Sequence, residues 1–125
     1  MGIPRIKVEH LLGRKLDKPK SSIPKSRYRS QAEADYAARL WAMEKRGEII
    51  SWFYEPVKFN IGTWYIPDFM VIRLRQFIDR GEITTAYFFE FHEVKRPHRF
   101  RERGIVKFKA AQKTYPWFKW VLVEA

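Results

Sequence analysis

The chain has 125 residues, 46% of them hydrophobic and 17% aromatic, which suits one domain with a real core and excludes disorder along its whole length. Lys and Arg number 25 against 14 Asp and Glu, a net charge of +11, and that surplus points to a polyanionic partner, nucleic acid first and an anionic membrane second. There is no cysteine, so disulfide scaffolds, thiolate zinc sites and cysteine nucleophiles are excluded and any metal must be held by carboxylates, histidines or carbonyls.

No run of about 18 apolar residues occurs, so no membrane-spanning helix is expected. Residues 8–12 are too short and too polar for the apolar centre of a signal peptide, and an intracellular location is the expectation. Residues 1–30 hold nine Lys or Arg and two acids. Residues 1–27 therefore read as a basic N-terminal arm ahead of a folded domain over 28–125. The arm is either a solvated tail or a phosphate-neutralising segment acting through Lys18, Lys20, Lys25, Arg27 and Arg29.

A helix should begin at Ser30. The run Ser30-Gln31-Ala32-Glu33 fits a capping box, Ala34, Ala37, Ala38, Leu40 and Trp41 form a helical stripe, and Gly47 is a good stop. Residues 49–61 read as a strand, with Pro56 at an edge or bulge, and 64–74 as a second. Residues 83–95 read as a third strand, reached through a tight turn at Arg80-Gly81. A loop at 97–100 leads to a second helix over 102–114, stopped before Pro116, and residues 117–123 form a last strand. The expected order is α-β-β-β-α-β, an α/β fold.

If the hairpin turns at Arg80-Gly81, Asp68 opposes Glu93, Met70 opposes Phe91, Ile72 opposes Phe89 and Leu74 opposes Tyr87. Alternation places Lys95 on that same face. One sheet face is then apolar along most of its length and ends in Asp68, Glu93 and Lys95. Carboxylates opposed across a strand pair, with Cβ atoms roughly 5 Å apart, repel unless a proton or a cation intervenes. Glu33 shares a helical face with Ala37, Leu40 and Trp41. If that face packs on the apolar sheet face, Glu33 completes the cluster. Oxygen ligands of this kind suit Mg²⁺ or Mn²⁺. Each piece also has a plain account: Glu33 as the capping-box acid, Pro67-Asp68 as an ordinary strand start, Glu93-Val94-Lys95 as a same-face ion pair. Only their combination is specific.

That combination, Glu33, then Pro67-Asp68, then Glu93-Val94-Lys95, resembles the signature of the PD-(D/E)XK nuclease superfamily, over roughly residues 28–125. The resemblance implies a single restriction-endonuclease-like domain with a central mixed sheet flanked by helices. It implies that Asp68 and Glu93 hold one or two Mg²⁺ ions, with Mn²⁺ able to substitute, and that the Val94 carbonyl is a further ligand. Glu33 would add a ligand or hold a metal-bound water, and Lys95 would orient or help deprotonate the attacking water, whose pKa the metal lowers. Within the superfamily the small basic chain is similar to archaeal-type Holliday junction resolvases, and also to phage-encoded and transposase-associated nucleases. The resolvase branch implies a four-way DNA junction as substrate and a homodimer.

After the proposed site come Lys95, Arg96, Arg99, Arg101, Arg103, Lys107, Lys109 and Lys113, with Glu102 the one acid among residues 95–113. They read as a phosphate track rather than a solvated face. Lys107 and Gln112 stand where relatives carry auxiliary polar residues, although edge packing or solvation suits both. His92 alternates away from Glu93, His98 lies in the basic loop and His10 is read as surface, so none is assigned catalysis. Aromatics beyond the needs of one core could serve a dimer interface or stack bases, with 117–123 a candidate dimer edge. A non-catalytic nucleic-acid-binding module is the rival from another class.

Overall fold

The structure, a computed structural model, describes residues 27–95 and 103–124. The expectations for the arm over 1–26, for Arg96, Arg99 and Arg101, for His10 and His98, and for the side chain of Arg103 fall outside what it describes.

Helix α1 spans Gln31–Lys45. Ser30 is its N-cap: the hydroxyl accepts from the Glu33 backbone N–H at 3.1 Å and donates to the Glu33 carboxylate at 3.1 Å. Gly47 follows the helix with φ +78°, a left-handed conformation that favours glycine.

Strands β1 (Ser51–Tyr54), β4 (Phe69–Asp79), β5 (Glu82–Lys95) and β6 (Lys119–Glu124) form a four-stranded sheet in that spatial order. The first three are antiparallel, and β6 runs parallel to β5 after the crossover through helix α2 (Arg103–Thr114), which makes the sheet mixed. Arg80 and Gly81 both have positive φ, the geometry of a two-residue turn whose twist matches the strands it joins. The register that follows is the expected one, with Met70 facing Phe91, Ile72 facing Phe89 and Leu74 facing Tyr87.

Two expected strands are interrupted. The 49–61 strand stops at Tyr54, because Glu55 turns to φ +45° and Pro56 cannot continue a ladder; the chain resumes as β2 (Phe59–Asn60). The 64–74 strand is split at Pro67 into β3 (Trp64–Tyr65) and β4. Strands β2 and β3 pair as a separate hairpin. With that hairpin set aside, the principal elements keep the α-β-β-β-α-β order.

Each sheet face carries one helix, and the assignment corrects one expectation. Met70, Ile72 and Phe91 lie on the front face with Phe53, covered by Phe59, Phe118 and Trp120; Phe108 and Ala111 of α2 pack beside them. Helix α1 packs instead on the rear face: Ala34, Ala37 and Leu40 meet Trp52, Phe69, Val71 and Val94. Both faces of β4 and β5 are apolar near the sheet centre, so alternation alone did not choose between them. The large aromatics of β2 and the segment before β6 fill the front, and the alanine-rich helix takes the rear. No helix among the described residues is long and apolar enough to cross a membrane.

Candidate functional site

The last pair of the β4–β5 ladder is Phe69 with His92, so Asp68 stands one residue beyond it, across from Glu93. Pro67 is fully buried and offers no N–H, which suits the point where the chain enters the sheet. The Asp68 carbonyl accepts from the Glu55 backbone N–H at 2.8 Å, and its carboxylate Oδ2 accepts from the Val94 N–H at 2.8 Å. The carboxyl is therefore pinned to the strand that carries Glu93 and Lys95. Asp68 and Glu93 are each only 3% exposed.

Their environments are short of positive charge. Burial, then the charges of Glu93 and Glu33, push the Asp68 carboxyl well above the usual carboxylate range, and the Val94 N–H and Arg29 only partly offset this. Burial also raises Glu93, against the pull of the Tyr65 hydroxyl, Lys95 and Arg29. Tyr65 donates to Glu93 Oε1 at 2.7 Å, and Lys95 Nζ lies 3.7 Å from Glu93 Oε2. Two adjacent acids that resist ionising together are the electrostatic signature of a site that takes up a proton or a cation.

Glu33 joins this cluster, but not by the route expected of a helix on the front face. Its Oε1 accepts from the Tyr54 hydroxyl at 2.9 Å. Arg29 then links the acids: its guanidinium lies 3.0 Å from Glu55, 3.3 Å from Asp68 and 4.0 Å from Glu33. Arg29, expected to track phosphate, directs its guanidinium at the carboxylate cluster while its side chain stays 67% exposed. Arg27 is exposed.

Helix α2 starts directly against the other side of the site. A Cβ on Gly104 would sit 2.9 Å from Glu93 Oε2 and 2.9 Å from both Cε and Nζ of Lys95. Only glycine lets the helix approach this closely without displacing those two side chains. Along α2, Ile105, Phe108 and Ala111 are buried, while Lys109, Gln112 and Lys113 are exposed. Lys107 is half-buried and donates to the Trp64 carbonyl at 3.2 Å.

Sequence reasoning missed Arg29 as a partner of the acids, and also Tyr54, Tyr65, Glu55 and Gly104. Only one of these had a legible signal. Gly104 stands early in a helix, where glycine is costly, and that calls for a packing reason.

Among the described residues no three histidine or acidic side chains stand together as a ready-made cation cage. The donor set still suits Mg²⁺, which is commonly held by one or two carboxylates and otherwise keeps water. Asp68 and Glu93 supply two hard oxygen donors, and the Val94 carbonyl is the backbone group between Glu93 and Lys95. Zinc with thiolates is excluded by composition. Comparison with family models, with curated proteins and with solved structures finds no match to this chain.

Proposed function

We propose that this chain is a metal-dependent DNA endonuclease of the PD-(D/E)XK type, built on a restriction-endonuclease-like fold and acting as a homodimeric Holliday junction resolvase. One observation carries the reading: two buried carboxylates, Asp68 and Glu93, face each other at the end of a mixed sheet with their ionisation opposed by burial and by each other, and Lys95 stands beside them. The balance is incomplete: Arg29 bonds Asp68 at 3.3 Å and Lys95 lies 3.7 Å from Glu93, but Glu33 and Glu55 share the same guanidinium and burial still raises both acids.

In this reading Asp68 and Glu93 hold Mg²⁺ or Mn²⁺, with the Val94 carbonyl as a third donor. A divalent cation there supplies charge neutralisation for a scissile phosphodiester and activation of water. Lys95 orients the nucleophile through its ammonium, or takes its proton once it has itself become the neutral amine. Tyr65 fixes the rotamer of Glu93 through its hydroxyl bond, and Glu33 stays within electrostatic reach as a ligand or water holder. The lysines of α2, with the arginines before it, contact the DNA backbone, which suits recognition of shape over sequence.

The test is cleavage of a labelled four-way junction and a matched linear duplex, with Mg²⁺, Mn²⁺ or EDTA, by the native chain and by Asp68→Asn. Paired nicks in the junction alone, dependent on the metal and reduced more than about hundredfold by the substitution, are expected. Equal cutting of both substrates keeps the nuclease and removes the junction preference. Tight DNA binding without cleavage in either metal overturns the enzyme reading in favour of a binding module.

A further inference from the structure

Asp68 divides its two oxygens between different partners. Oδ2 accepts from the Val94 N–H at 2.8 Å, and Oδ1 accepts from Arg29 Nη2 at 3.3 Å. The oxygen that the backbone leaves open is therefore held by a guanidinium. The same Nη2 lies 3.0 Å from Glu55 Oε1, and Arg29 Nε lies 4.0 Å from Glu33 Oε1. One guanidinium is thus shared by three acids from three segments: Glu33 in α1, Glu55 just after β1 and Asp68 just before β4. Glu55 keeps its place through a left-handed backbone, φ +45°, and through its N–H bond to the Asp68 carbonyl at 2.8 Å.

Arg29 itself stands at the surface. It immediately precedes Ser30, the N-cap of α1, and its backbone N–H donates to the Tyr54 hydroxyl at 3.3 Å. Burial opposes its charge, but Glu55, Tyr54 and Glu33 outweigh that and raise its pKa. A guanidinium in a protein stays charged, so it cannot yield to another cation by losing a proton. It yields only by moving, and an exposed side chain is free to move. Its planar fork of N–H donors fits a carboxylate and a phosphate alike.

We propose that Arg29 is an exchangeable cation of the site: its guanidinium holds Asp68 Oδ1 in the metal-free chain, gives that oxygen up to a divalent cation, and turns to the phosphodiester of the DNA. The inference rests on the metal site of the proposed function. In the metal-free chain Arg29 keeps Glu33, Glu55 and Asp68 from facing one another uncompensated. Once Asp68 is taken, the guanidinium would repel the new cation, and a divalent ion meets twice the repulsion that a proton does. Leaving Asp68 relieves that repulsion, and a phosphate oxygen replaces the carboxylate as acceptor. Arg29 is therefore available to DNA chiefly when the metal is in place, which couples the two binding events through one side chain.

Mn²⁺ binding to the full chain without DNA, read from the paramagnetic resonance of the free ion, tests the exchange. Arg29→Gln removes the charge and keeps polar donors; with circular dichroism to verify the fold, it should bind Mn²⁺ about tenfold more tightly than the native chain. Arg29→Lys, which keeps the charge, should stay near the native affinity, and Asp68→Asn should lose the ion. Binding of a labelled four-way junction, with Ca²⁺ in place of Mn²⁺ to hold back cleavage, then tests the transfer to phosphate. The metal should tighten DNA binding about tenfold more in the native chain than in Arg29→Gln. Equal or weaker Mn²⁺ affinity in Arg29→Gln overturns the exchange and leaves the metal site standing. Tighter Mn²⁺ with the same metal-dependent gain in DNA binding overturns the transfer. No Mn²⁺ binding by either folded chain overturns both the inference and the proposed function. Because no cleavage is read, a chain that passes both tests and cuts nothing keeps the exchange and loses only the nuclease.

Discussion

Strand β5 buries two glutamates three residues apart, on opposite faces, and their fates are opposite. On the rear face Glu90 sits 3.0 Å from His92 Nε2 and 2.9 Å from Arg73, and Tyr36 meets His92 Nδ1 at 2.6 Å. Burial raises the Glu90 carboxyl, but the bonds from His92 and Arg73 outweigh it and hold it down at about 2. On the front face Glu93 has a phenol and a more distant lysine, with two more acids nearby, and burial pushes it up. Balanced buried charge holds a fold together; unbalanced buried charge is kept at a cost in stability and marks the place where a ligand completes the balance.

Breaking the balanced cluster should have the largest effect. Glu90→Ala leaves Arg73 and His92 beneath α1 without their acceptor and should destabilise the chain by about 3 kcal/mol, read as a lower urea midpoint at constant slope. An unchanged midpoint would make the rear cluster ornamental and end the comparison.

The unbalanced site should respond with the opposite sign. Without metal, Asp68→Asn removes an acid whose ionisation the fold opposes, so it should stabilise by about 1–3 kcal/mol at pH 8. The native pKa of Asp68 lies above its unfolded value, so its penalty is absent at pH values below the unfolded pKa, where both states are protonated, and grows as pH rises through that value. The gain should therefore vanish near pH 3, as melting temperatures in EDTA at both pH values would reveal. For Glu90 the order is reversed: its native pKa is depressed, so its contribution is present above its unfolded value and is lost as pH falls from there toward 2.

The smallest effect on stability should come from Gly104→Ala. The added methyl meets first the flexible ends of Lys95 and Glu93, and alanine favours the helix, so the unfolding free energy should stay within about 1 kcal/mol or rise. Cleavage should still fall at least about tenfold, because the displaced side chains are those proposed to hold the cation and the nucleophile. Full cleavage in this variant would show that α2 does not shape the site.

Local chemistry made much of this legible in the sequence. Ser30 and Gly47 bound α1 because a hydroxyl cap and a left-handed glycine are short-range devices. Arg80-Gly81 set the hairpin turn, and the turn set the register that brings Asp68 and Glu93 across from one another. Composition excluded thiol chemistry outright.

What only the tertiary structure decided is long-range. Phe69, Val71 and Val94 on one face are as apolar as Met70, Ile72 and Phe91 on the other, so the side taken by α1 depended on which residues from distant segments filled the front. Arg29 reaches Asp68 across 39 positions, and Gly104 lies against Lys95 only because the crossover returns α2 to the end of β5. Periodicity and capping act within a few residues, whereas the charge balance of a buried carboxylate is a sum over everything the fold brings to it.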